Sequence, residues 1–112
     1  MIEKIMQDYL TSKLTNISVY MERPETPPRK YVIIEKTGSD KTDQVETATM
    51  AFQSYADSLY EAAALNDTVK GVVEGAVELS SVSGVHLNTD YNFTSTASKQ
   101  YRYQAVFLVT HY

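Results

Sequence analysis

The chain has 112 residues, no cysteine, and a formal net charge of −4 from ten basic and fourteen acidic side chains. That length specifies one domain with a single core, and the missing thiols exclude a disulfide framework, thiolate metal sites and a cysteine nucleophile. The acidic balance argues against a dedicated nucleic-acid binder, and no apolar run approaches the ~20 residues of a membrane helix.

The opening Met1-Ile2-Glu3-Lys4-Ile5 lacks the regions of a signal peptide, so secretion is not expected. Ile2, Ile5, Met6, Tyr9, Leu10 and Leu14 recur at helical spacing and predict an amphipathic helix from residue 2 to about residue 14. Asn16 marks its stop, and Ile17, Val19 and Met21 alternate as a short strand. Glu22 to Arg29 holds all three prolines and reads as a semi-rigid extended loop, because proline lacks the donor that a helix interior or central strand requires. Lys30 to Thr37 is a strand, apolar on both faces at its start and therefore central in the sheet there.

Gly38 to Gln44 is polar and turn-forming, which predicts a protruding, mobile loop. Val45 to Ala56 is a long strand with Ala48, Met50, Phe52, Ser54 and Ala56 on one face, and Thr47, Thr49, Ala51, Gln53 and Tyr55 on the other. Ser58-Leu59-Tyr60-Glu61 matches a capping box and opens a helix to about Val77. Leu59, Ala62, Ala63, Leu65, Val69, Val72, Val73 and Ala76 form its apolar side. Gly71 is expected to let this helix approach the sheet closely, whereas Gly75 suits either close approach or fraying.

After a loop at Ser80–Gly84, two aromatic-rich strands form a hairpin around the small residues Thr94–Ser98. Unbroken alternation puts Val85, Leu87, Thr89, Tyr91 and Phe93 on one face, and His86, Asn88, Asp90 and Asn92 on the other. In the last strand Tyr101, Tyr103, Ala105, Phe107 and Val109 oppose Arg102, Gln104, Val106 and Leu108. The expected architecture is a single α+β domain in the order α-β-β-β-α-β-β, with a mainly antiparallel sheet and two helices packed on one face. Strands of about ten residues span roughly 33 Å, so they either curl or extend beyond the core.

No catalytic constellation stands out. His86 and His111 lack metal-ligand spacing, and His111 is expected at the surface or an interface. There is no Gly-x-Ser-x-Gly elbow and no phosphate-cradling glycine loop. The expectation is a non-enzyme with no catalytic, cofactor-binding or metal site. Nine tyrosines and three phenylalanines without tryptophan fit a protein-interface role as well as plain strand propensity. Candidate interface residues are Arg23 and Arg29 in the proline-rich loop, Asp40, Lys41 and Asp43 in the polar loop, and Arg102. For the Arg102 guanidinium the expected partners are Asp90 within the subunit, or Asp40, Asp43 or Glu46 across an interface.

Several passages together resemble a known family. They are the Val19–Pro28 segment with Tyr31-Val32-Ile33-Ile34-Glu35, the junction Phe52-Gln53-Ser54-Tyr55-Ala56-Asp57-Ser58 leading into Glu61-Ala62, and the closing Tyr91-Asn92-Phe93-Thr94 with Lys99-Gln100-Tyr101-Arg102-Tyr103-Gln104. They are similar to the small tail-terminator (tail-completion, head–tail joining) proteins of long-tailed bacteriophages and prophages. The resemblance implies a virion structural protein, made in the host cytoplasm and resident at the head–tail interface. It would form a homo-oligomeric ring, a hexamer, that caps the tail tube, ends tail polymerisation and presents a joining surface to the head. Implied partners are further copies of itself, the major tail tube protein and a head-completion (connector) protein. DNA would pass through an acidic channel without specific binding, and no membrane is involved. The alternatives are a head-completion or minor capsid ring protein, and a monomeric regulatory binding domain.

Overall fold

The computed structural model describes residues 1–95, 97 and 100–112 of the chain. Helix α1 (Ile2–Lys13) buries Ile2, Met6, Tyr9 and Leu10, the stripe expected from its spacing. It stops because Leu14 turns extended and Asn16 adopts a positive φ of 60°, a conformation that asparagine tolerates better than most residues. Strand β1 (Ser18–Tyr20) then pairs in parallel with the start of β2 (Tyr31–Thr42), Ser18 opposite Tyr31 and Tyr20 opposite Ile33. A parallel neighbour cannot be reached through a tight hairpin, and the proline-rich segment supplies the crossover.

Strand β2 departs from the sequence expectation. Gly38–Thr42 is not a loop: β2 continues through it, bonded to β3 (Val45–Ala56) as far as Thr42 opposite Val45. A bulge at Thr37 shifts the register, and the chain reverses in two residues, Asp43 and Gln44, at φ 52° and 68°. Positive φ at both central residues is the hairpin geometry whose twist matches its flanking strands. Only the first four residues of β2 are buried and the next eight are exposed, so polar residues cost nothing there and the ladder to β3 holds them extended. The strand thus extends beyond the core.

Helix α2 (Leu59–Glu74) is capped as expected on one side, with the Ser58 hydroxyl accepting from the Glu61 backbone N–H at 3.1 Å. Among the described residues, the return bond from the Glu61 carboxylate is not made. Gly71 does not take the close-approach role expected of it, and Gly75, left open between close approach and fraying, is the close-approach position. Gly71 is exposed with open space beside it, whereas a Cβ on Gly75 would lie 2.8 Å from the Tyr9 hydroxyl. Gly75 is where α2 passes into a short 3-10 turn (Gly75–Glu78) against α1. There the Tyr9 hydroxyl donates to Glu78 at 3.3 Å, and burial together with that carboxylate raises the Tyr9 pKa.

Strands β4 (Val82–Asn92) and β5 (Tyr101–His111) complete a five-stranded sheet in the order β1-β2-β3-β5-β4, antiparallel except for β1 with β2. Both helices cover one face, and the core lies between them and that face. Phe52 and Phe107, both fully buried, meet there edge to face with centroids 5.7 Å apart. The small-residue turn expected at Thr94–Ser98 lies partly outside the described residues. β4 begins at Val82, inside the loop expected at Ser80–Gly84.

Alternation along β4 breaks at a bulge between Leu87 and Thr89. Val85 and Leu87 lie opposite Val109 and Phe107 and pack on the core, but Tyr91 lies opposite Gln104 on the other face. One extra residue reverses the parity of everything beyond it. The same bulge puts Asp90 opposite Ala105, on the helix side, which excludes it as the partner of Arg102. Asp90 instead accepts from Lys70 at 2.9 Å and Asn66 at 3.0 Å, tying α2 to the edge strand. The Lys70 hydrogen bond, opposed by burial and aided by Asn66, lowers the Asp90 pKa from 3.8, and the hydrogen bond to Asp90 raises that of Lys70 from 10.5.

A pH dependence follows from these shifts. A depressed carboxylate stabilises the fold above its unfolded pKa and loses that contribution as pH falls through the folded value. A raised lysine stabilises below its unfolded pKa and loses its contribution as pH rises through the folded one. Asp90→Asn should therefore lower the urea midpoint at neutral pH, with the gap to the parent closing as pH drops below about 4. A gap of constant size down to pH 2 would show that the pair does not act through its charge.

Candidate functional site

The sheet face without helices carries its own small cluster, Tyr31, Ile33 and Tyr55 with Tyr20 packed against them, and no helix residue takes part. Register assembles it. Tyr31 lies opposite Tyr55 and Tyr55 opposite Arg102, while Gln53 lies opposite Gln104 and Gln104 opposite Tyr91. Partners directly across a ladder share a face with side chains in contact range, so residues distant in sequence form two adjoining rows.

The outer row crosses β1, β2, β3 and β5 and ends on the segment just after β4. Tyr20 meets Tyr31 edge-on at 6.1 Å, and Tyr31 stacks on Tyr55 at 4.5 Å and 4°. The Arg102 guanidinium sits 5.4 Å from the Tyr55 ring and 4.2 Å from the Phe93 ring, and Phe93 meets Tyr91 at 5.7 Å. Arg102 also donates from Nη1 to the Tyr55 hydroxyl at 2.8 Å and from Nε to the Phe93 carbonyl at 3.1 Å. The inner row is an amide relay. Gln53 donates to Gln104 at 2.8 Å, Gln104 to the Tyr91 hydroxyl at 2.7 Å, and the Tyr55 hydroxyl to Gln53 at 3.1 Å. Although no helix covers them, Gln53 and Gln104 are only 8% and 9% exposed. Their neighbours bury them, and the relay satisfies the polar groups that burial would otherwise penalise. Tyr91 and Phe93 remain 40% and 43% exposed. Burial raises the Tyr31 pKa, with Arg23 and Arg102 both acting to lower it.

The structure divides the six candidate residues between the two ends of the sheet. Arg23, Arg29 and Arg102 gather where β2 begins and β3 ends, with Arg29 paired to Asp57 at 3.0 Å. The side-chain oxygen of Gln100, with the amide turned toward it, accepts from Arg23 at 2.9 Å. Asp40, Lys41 and Asp43 lie at the far end, at and beside the β2–β3 turn, exposed. Of the partners expected for Arg102, Asp90, the one within the subunit, is on the wrong face; Asp40, Asp43 and Glu46, expected only across an interface, lie toward the opposite end of β2 and β3 of the same chain. His111 is 8% exposed and not a surface residue; its ring lies 3.7 Å from Glu46. Sequence reasoning missed Tyr31, Tyr55, Gln53, Gln104, Tyr91 and Phe93 as one site. The available signal was their recurrence at every second position of three strands.

Chemically the site is an extensively hydrogen-bonded, aromatic surface. It offers aromatic faces, one multiply held guanidinium and satisfied amides, and among the described residues no three His, Asp or Glu side chains converge as metal ligands. No protein-family model and no curated protein matches the chain.

Proposed function

We propose that the protein is a virion structural component that caps a phage tail tube as a homo-oligomeric ring, ends tail polymerisation and forms the surface joined to the head. The resemblance of the closing hairpin and the strand-to-helix junction to tail-terminator proteins motivates the reading. The observation that carries it is the aromatic–arginine row across the uncovered sheet face. Tyrosine, phenylalanine and arginine are enriched at the centres of protein interfaces, and a pre-ordered row loses little entropy on binding. The net charge of −4 suits a ring through which DNA slides without sticking.

Light scattering on the purified protein and its deletion from a phage that carries it test the reading together. The expected outcome is a ring-sized oligomer, and tails of uncontrolled length that fail to join heads. Normal tails beside DNA-leaking heads would indicate a head-completion role instead. A strict monomer whose loss leaves virions intact would favour a regulatory binding domain.

A further inference from the structure

The proline-rich crossover leaves a cleft of about 200 Å³ over the end of the tyrosine stack, walled by Arg23, Arg29, Tyr31, Tyr55, Gln100 and Tyr101. It is smaller than the ~300 Å³ at which small-molecule sites begin, so its natural guest is a side chain. Its electrostatics select the sign of that guest. Among the described residues the one lining carboxylate, Asp57, is already engaged by Arg29. Arg23 donates to the neutral amide of Gln100, acts on the Tyr31 hydroxyl and, among the described residues, forms no ion pair. Arg102 adds a second positive charge acting on the Tyr31 hydroxyl.

We infer that this cleft receives a carboxylate from the β2–β3 turn of a second copy of the chain, Asp40 or Asp43, in a head-to-tail contact. Both carboxylates are exposed and, among the described residues, neither forms an ion pair. The side chain of one and the backbone of the other are fixed. Asp40 accepts from the Lys41 backbone N–H at 2.9 Å, and Asp43 sits in the two-residue turn. The turn and the cleft lie at opposite ends of β2 in a molecule 44 Å long, so no chain can fill its own cleft. Because the two surfaces differ, the contact is heterologous, and repeated through a suitable rotation it closes a ring. The inference rests on the ring reading and specifies which surfaces build the ring.

A charge exchange tests it in the full-length protein. Arg23→Glu alone, and Asp40→Lys with Asp43→Asn alone, should each weaken self-association at least tenfold by sedimentation while folding normally. Asparagine is chosen at position 43 because it tolerates positive φ. Mixing the two variants should restore association, since each turn then meets a cleft of opposite charge, and raised salt should weaken the parent contact. Variants that assemble like the parent would overturn the contact and leave the ring reading intact. Loss of association by Arg23→Glu without rescue in the mixture would exclude the turn as the occupant. A parent that sediments as a monomer at every concentration would overturn the contact, and intact virions on deleting the gene would separately overturn the ring.

Discussion

Phe107→Ala should lower the free energy of unfolding by about 3–5 kcal/mol, the usual cost of deleting a fully buried aromatic ring. Phe107 is completely inaccessible and packs edge to face on Phe52, its neighbour on the facing rows of β5 and β3. The surrounding Val69, Val73, Val109 and Met50 are equally buried, so little can collapse into the space. A domain of this size has only about 5–15 kcal/mol of stability, and the variant loses a large share of it. Leu108→Ala is the matched control. Leu108 lies on the opposite face and is only partly buried, so its cost should be nearer about 1 kcal/mol. Urea unfolding followed by circular dichroism measures both. Equal losses would mean that the register of β5 is wrong, because a one-residue slip exchanges the two faces.

Arg102→Ala should cost about 2–3 kcal/mol and release Phe93, the exposed aromatic just after β4. A well-buried hydrogen bond to a charged group contributes about 1.5–3 kcal/mol and a guanidinium over an exposed ring about 0.5–1 kcal/mol, but the Phe93 bond is exposed and the Tyr55 bond only half-buried, so solvent screening keeps the sum near the value of about one full bond. Arg102 makes two such bonds, to Tyr55 and Phe93, and covers the Phe93 ring. Arg102→Lys should recover less than half of the loss, since one ammonium group cannot reproduce two divergent donors in a plane. The lysine variant should still fold, with the Phe93 and Tyr55 ring resonances shifted and, on the proposed ring reading, self-association weakened. If it matches the parent in unfolding, in those resonances and in assembly, the special role of Arg102 is wrong.

Why these two sites differ in legibility is physical. Phe107 was readable in the chain itself, because alternation in β5 is unbroken and its apolar positions repeat every second residue. The limits of β3, the apolar stripe of α1 and the Ser58 cap were readable on the same grounds, as each depends on neighbours within a few residues. The element order and the α+β class follow from these local patterns. Arg102 was readable only as a residue on the face opposite Tyr101 and Tyr103. Its partners come from β3 and from the segment after β4, and a bulge at Asn88 decides which β4 residues reach that face. Bulges and register are relations between strands, and the local sequence carries no sign of them. The polar half of β2 likewise looked like a loop because extended structure there depends on the hydrogen-bonded ladder to β3, not on burial of its own side chains. That Gly75 and not Gly71 is the close-approach position came from where Tyr9 of α1 meets the end of α2. Local periodicity thus set which elements form and which faces of α1, β3 and β5 are apolar. Contacts between elements set which polar and aromatic side chains meet, and so created the site.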